Sequence, residues 1–313
     1  MNTTAPTNSL SGDKENIAAN KATFGLAVFL LLLAALFYDR LLVMASVWLH
    51  DGNYSHGFLI IEISAFLAYR AFKKSSTPMQ PEPGFGSVTM IAGLMLLLGS
   101  TVLTALVLVY TGTSILMVLQ FIALAIILRG AAVVIGGRTW AGMFTFPILF
   151  LFFMFPLPVA WTNFASVWLQ DWVSWTSGHV LEVFFVCHQQ GNQILIAGAT
   201  EPIFVAQECS GLRQLVAFLA LATLVGYLSN RGLVSMLLLV AAAIPVAILS
   251  NVMRVLLMAL AIRYLGPQSV SGWMHDVPAF ITLPVGLVLF FGLQKLIGSF
   301  FAPSAVEPTK GDA

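Results

Sequence analysis

Long apolar runs separated by short polar loops constrain this chain more than any other feature. Residues 233–253, for instance, contain no charged side chain. A run of that length reads as a membrane-crossing helix, because about 20 residues at 1.5 Å each span a hydrocarbon core of about 30 Å. The whole chain agrees: of 313 residues, 59% are hydrophobic and 9% charged, with a mean hydropathy of +0.93, whereas soluble domains carry about 25% charged residues. The expected class is an all-α integral membrane protein with about eight transmembrane helices. A net charge of +1 lacks the basic signature of a nucleic-acid binder.

The spans are expected near 22–45, 58–74, 87–109, 113–128, 141–155, 212–228, 233–253 and 277–296, and no internal repeat relates them. Between the fifth and sixth, Trp161, Trp168, Trp172 and Trp175 stand among polar residues, a pattern that places a short helix over 161–185 at the extracytoplasmic membrane–water interface. The alternation in 191–207 then predicts a small β-hairpin outside the bilayer. The expected organisation is a disordered cytoplasmic tail over 1–21, a polytopic catalytic domain over 22–300 and a second cytoplasmic tail over 301–313. The first apolar segment is too long for a signal-peptide core and reads as an uncleaved anchor.

Eight spans put both termini on one side. Ten basic residues (Lys14, Lys21, Arg70, Lys73, Lys74, Arg129, Arg138, Arg231, Lys295 and Lys310) fall on that side, against Arg40, Arg213, Arg254 and Arg263 on the other. The positive-inside rule makes the terminal side cytoplasmic.

One cysteine sits where a polar stretch gives way to an apolar helix, in Gln207-Glu-Cys-Ser-Gly-Leu-Arg-Gln-Leu215. A helix starting near Ser210 points its free N–H groups at Cys209, which favours the thiolate. Gly211 keeps the approach to the sulfur open, and Arg213, four residues on, shares its helical face. The other reading is that Cys209 is a small buried hydrophobe. Depth separates the two. Counting 22 residues back from Arg231 reaches Cys209, 23 forward reaches Arg254, and 20 back from Lys295 reaches His275. Three reactive side chains are thus expected at one level, with Asn251 on the same face as Arg254. Taken singly, Arg254 also reads as a snorkelling cation and His275 as a loop histidine. Together they supply what a thiol with a pKa of about 8.5 needs near neutral pH, a base and a positive neighbour. The reaction class is acyl transfer at a peptide bond through a thioester.

The order Cys209-Ser-Gly-Leu-Arg213, Asn251-Val-Met-Arg254 and His275 resembles the exosortase/archaeosortase family of membrane cysteine transpeptidases. Tyr54-Ser-His-Gly57 and Phe153-Met-Phe-Pro-Leu-Pro158 also match family landmarks. The resemblance implies a catalytic triad of Cys209, Arg254 and His275, with Arg213, Asn251, Tyr54 and His56 as supporting or substrate-binding residues. It implies exported protein substrates bearing a C-terminal tripartite signal of the Pro-Glu-Pro type, and a cell-surface acceptor. No cofactor is expected. Nor is a metal, since adjacent Cys187 and His188 do not face one site. Pro278-Ala279 stands where many relatives have a glycine. Rival readings are a transporter, a non-catalytic scaffold of polysaccharide export, and an acyltransferase using His56 or His275; Tyr54 and His56 also read as interfacial anchors.

Overall fold

Residues 25, 28–107, 115–199, 202–205, 209–270 and 277–301 are described by a computed structural model. The segments 1–21 and 302–313 of the expected tails lie outside them. Helices dominate, as hydrocarbon demands: every backbone polar group must be paired within the segment. Val28–Leu36 (α1) and Tyr38–His50 (α2) meet at a 73° bend. Gly57–Lys74 (α3), Pro83–Val107 (α4), Ile115–Phe150 (α5) and Val159–Glu182 (α6) follow. After three short strands, Cys187–Gln190 (β1), Gln193–Ile196 (β2) and Ile203–Phe204 (β3), come Leu212–Leu228 (α7), Leu233–Leu265 (α8) and Val277–Ser299 (α9).

Four described helical segments are long and apolar enough to cross a membrane, or five if the bent α1–α2 pair is one span. This falls short of the eight expected, for identifiable reasons. Within α3 lie Glu62, Arg70, Lys73 and Lys74, and α7 has only 17 residues. The expected fourth and fifth spans form one run of helical residues, α5. That run doubles back at Gly137, whose φ of 85° and ψ of −178° are not helical. Arg129 Nη1 donates to Thr145 Oγ1 at 2.8 Å across 16 residues, a separation that a straight helix would make about 24 Å. A side chain at Gly137 would strike the Gln80 carbonyl. Beside this reversal Arg138 Nε pairs with Glu82 Oε2 at 2.9 Å.

The stretch expected at the interface is helical over α6, which is not among the candidate spans. One face, including Leu169, Val173, Ser174 and Leu181, is buried, while Trp161, Trp168, Trp172 and Trp175 are exposed. In place of the hairpin expected within 191–207, the strands form a three-stranded antiparallel meander in the order β1-β2-β3. Its first strand precedes the expected range, pairing Cys187 with Ile196 and Gln190 with Gln193. The alternation that marks β2 is absent from Cys-His-Gln-Gln, so β1 is specified by its partner.

Helix α8 is the spine. At 33 residues it is about 50 Å long, well beyond a hydrocarbon core. Its first half packs with α7 and α9 around Phe218, Leu239, Val246 and Phe290. Its last turns leave that bundle, and Val255, Met258 and Ile262 join Val173 of α6, Ile194 and Ile196 of β2 and Cys209 in a second core. Cys209 therefore sits where the helical bundle meets the sheet-bearing unit.

Candidate functional site

Gly211 decides how the cysteine is presented. Its φ of +91° places it in the left-handed region, which ends the irregular approach and lets the helix begin at Leu212 rather than near Ser210. Cys209 thus precedes the helix and does not share a helical face with Arg213, correcting that expectation. The thiol-bearing residue is 3% exposed. Asn251, fully buried on α8, donates from Nδ2 to the Cys209 carbonyl at 2.7 Å. Gly211 faces this amide: an added Cβ would lie 2.8 Å from Asn251 Cγ. The glycine therefore admits Asn251, whereas the sequence reading gave it the task of opening a path to the sulfur.

Arg254 follows Asn251 by three residues on α8 and is half-buried. Its Nε is buried with no hydrogen-bond partner among the described residues. Cys209, Asn251 and Arg254 thus belong to one end of the α7–α8 pair, as the length counts require. His275 lies outside the described residues. Helix α9, which begins at Val277, is tied to the same region by Ser250: its Oγ donates to the Thr282 carbonyl at 2.9 Å and accepts from Gln214 Nε2 of α7 at 3.3 Å. At the far end, Arg231 Nη1 donates to the Phe301 carbonyl at 2.8 Å. Helices α7, α8 and α9 are therefore in register at both ends. Gln214, Ser250 and Thr282 were missed in the sequence; the available signal was that isolated polar residues occur four to seven residues along the chain from Cys209, Arg254 and His275.

The loop joining α2 to α3 approaches from the other side. Arg213, exposed on α7, lays its guanidinium directly over Gly52, leaving no room there for a Cβ. Two hydrogen bonds pin this loop and the end of α2 to the segment that follows α5. Leu157 N–H donates to Tyr54 Oη at 2.9 Å, and Trp48 Nε1 donates to the Met154 carbonyl at 2.8 Å. Burial raises the Tyr54 pKa above its usual 10.0, more than the Leu157 bond lowers it, and Asp51 adds to the rise. His56, just before α3, is half-buried with Nε2 unpartnered among the described residues. Burial lowers its pKa below 6.5, offset in part by the Phe153 backbone. The Tyr54–Gly57 and Phe153–Pro158 motifs, a hundred residues apart, thus meet, and Arg213 joins them to the Cys209 helix.

Cys187, half-buried in β1, forms no disulfide with Cys209. Its thiol is pushed up by burial and then by Glu182. No group of three metal-ligating side chains occurs among the described residues.

A family model described as transmembrane exosortase matches residues 48–292. No curated protein and no solved structure matches the chain. The matched stretch starts at Trp48, beside the Tyr54–Gly57 loop, and ends within α9, so it contains the cysteine turn, its asparagine clamp and both joined motifs. The apolar helices and this match over most of its length make the protein a multi-pass membrane protein that belongs to the transmembrane exosortase family.

Proposed function

We propose that this protein is a cysteine peptidase or transpeptidase that cuts a Pro-Glu-Pro-type C-terminal sorting signal from exported proteins. The observation that carries the reading is the hydrogen bond from buried Asn251 to the Cys209 carbonyl, three residues before Arg254 on the same helix. This bond ties the turn that presents the thiol to the helix that carries Arg254.

In this reading His275 takes the Cys209 proton and the thiolate attacks the carbonyl carbon of the scissile peptide bond. Arg254 stabilises first the thiolate and then the oxyanion; losing one such donor typically costs about 2.7–4 kcal/mol of transition-state stabilisation. His275 returns the proton to the departing amine as the C–N bond breaks, leaving a thioester. Water or the amine of a cell-surface acceptor then attacks the thioester, and the thiol is released. Arg213, Asn251, Tyr54 and His56 hold the site together. The protein resides in a bacterial inner membrane with cytoplasmic termini and Cys209 toward the periplasm, a reading supported by the ten-to-four split of basic residues.

The test is processing of a co-expressed exported reporter carrying the signal, at matched membrane levels of enzyme. Cleavage by wild type that disappears in Cys209→Ala and Cys209→Ser is expected. Equal processing by all three would remove Cys209 as the nucleophile.

A further inference from the structure

The face of α6 turned away from Cys209 carries a cleft that peptide cleavage does not use. A cavity of about 430 Å³ lies between Asp171, Trp172 and Trp175 of α6 and Gln189, Gly191 and Asn192 at the β1–β2 turn. The indoles of Trp172 and Trp175 stand 6.1 Å apart at 75°, forming two walls of a corner. Both are half exposed. Asp171 lies one helical turn before Trp175, on the same face.

The Asp171 carboxylate is the formal charge among the described residues that line the cleft. Asn192 also lines it, though its Oδ1 is buried. Gln189 turns one of its two amide N–H groups inward, Nε2 to the Gly191 carbonyl at 3.0 Å. The indole faces carry the negative end of the ring quadrupole. Among the described residues, no Lys, Arg or His lines the cleft.

Anchoring in lipid is the ordinary role of exposed tryptophans at an interface, and it suits Trp161 and Trp168. It does not suit this corner. Hydrocarbon entering it would leave a carboxylate unpaired. An anion is repelled, and a neutral polyol leaves the charge and the perpendicular rings unexplained.

We propose that the α6 cleft binds an ammonium group. A primary ammonium donates an N–H to the Asp171 carboxylate, while its charge rests against the faces of Trp172 and Trp175. The source is either a water-soluble amine or the headgroup of an aminophospholipid. The site is independent of the chemistry proposed for Cys209.

The test uses the full chain in phosphatidylglycerol nanodiscs, titrated with ethanolammonium, choline and the neutral choline isostere 3,3-dimethylbutan-1-ol, read by saturation-transfer NMR. Both amines are expected to bind, with the isostere at least ~5-fold weaker. Asp171→Asn should weaken ethanolammonium by a similar ~5-fold, Trp175→Phe should retain part of the binding, and Trp175→Leu should abolish it. Isostere binding equal to choline, or no saturable amine binding by wild type, overturns the proposal. Nanodiscs containing phosphatidylethanolamine assign the source: displacement of ethanolammonium identifies the lipid headgroup, and unchanged binding a soluble amine. Because Cys209→Ala should give the same titration as wild type, failure here is distinguishable from failure of the peptidase reading.

Discussion

The Nδ2 of Asn251 reaches across 42 residues of sequence to the carbonyl of Cys209, and at 2.7 Å this bond couples α8 to the turn that presents the thiol. Asn251→Ala leaves that buried carbonyl without its donor, at a cost of about 1–3 kcal/mol. A lower melting temperature and a roughly tenfold or greater fall in reporter processing are expected. Asn251→Asp keeps the shape but replaces the donor with an acceptor, so it should be no better than alanine. Wild-type turnover in both variants would dismiss the clamp.

Gly211→Ala asks for a left-handed backbone from a residue that pays about 1–2 kcal/mol there, and it pushes a methyl group to 2.8 Å from Asn251 Cγ. Processing should collapse while membrane insertion persists, because the apolar pattern of α7 is untouched. Activity assays at matched membrane levels check this, and a fully active alanine variant would contradict it.

Ser250 joins three helices through one hydroxyl, between Gln214 and the Thr282 carbonyl. Ser250→Ala should cost about 1 kcal/mol of stability and slow processing, since α9 loses its tie to the level of Cys209. Ser250→Thr keeps the hydroxyl but adds a methyl group where Gly286 packs closely. Thermal unfolding is therefore expected to fall for both, with hydrogen bonding retained only in the second. Unchanged melting of the alanine variant would show the hydroxyl to be idle.

Gly52→Ala isolates the contact with Arg213. No positive φ requires a glycine there, so the new methyl group acts only by displacing the guanidinium. Its effect on processing should match that of Arg213→Ala, and the double variant should be no worse than either single one. Additive losses, measured as a double-mutant cycle, would mean that the two residues act separately.

His56 titrates below its ordinary value of 6.5 because burial disfavours the imidazolium. Its folded pKa lies below the unfolded one, so the unfolded state takes up the proton first as pH falls. The stability from neutral His56 is complete above pH 6.5 and is lost as pH drops from there through the folded pKa. The melting temperature of wild type should fall below about pH 6.5 relative to that of His56→Gln. Parallel pH profiles for the two proteins would refute this linkage.

Apolarity, length and charge are local properties, and they were legible without a structure: the membrane class, most helix positions and the proximity of the Cys209 turn to the Arg254 end of α8 follow from counting residues against a fixed hydrocarbon thickness. Contacts between helices are not local, because an apolar helix can rotate about its axis without changing its burial in lipid. Only the tertiary structure decided that α5 reverses at Gly137, that β1 completes a three-stranded sheet, that Gly211 makes room for Asn251 and that Arg213 rests on Gly52. Composition and span length determined where the chain crosses from apolar to polar surroundings. The close packing of side chains from distant segments determined which polar groups meet there, since a buried polar group is stabilised by a partner that no sequence spacing announces.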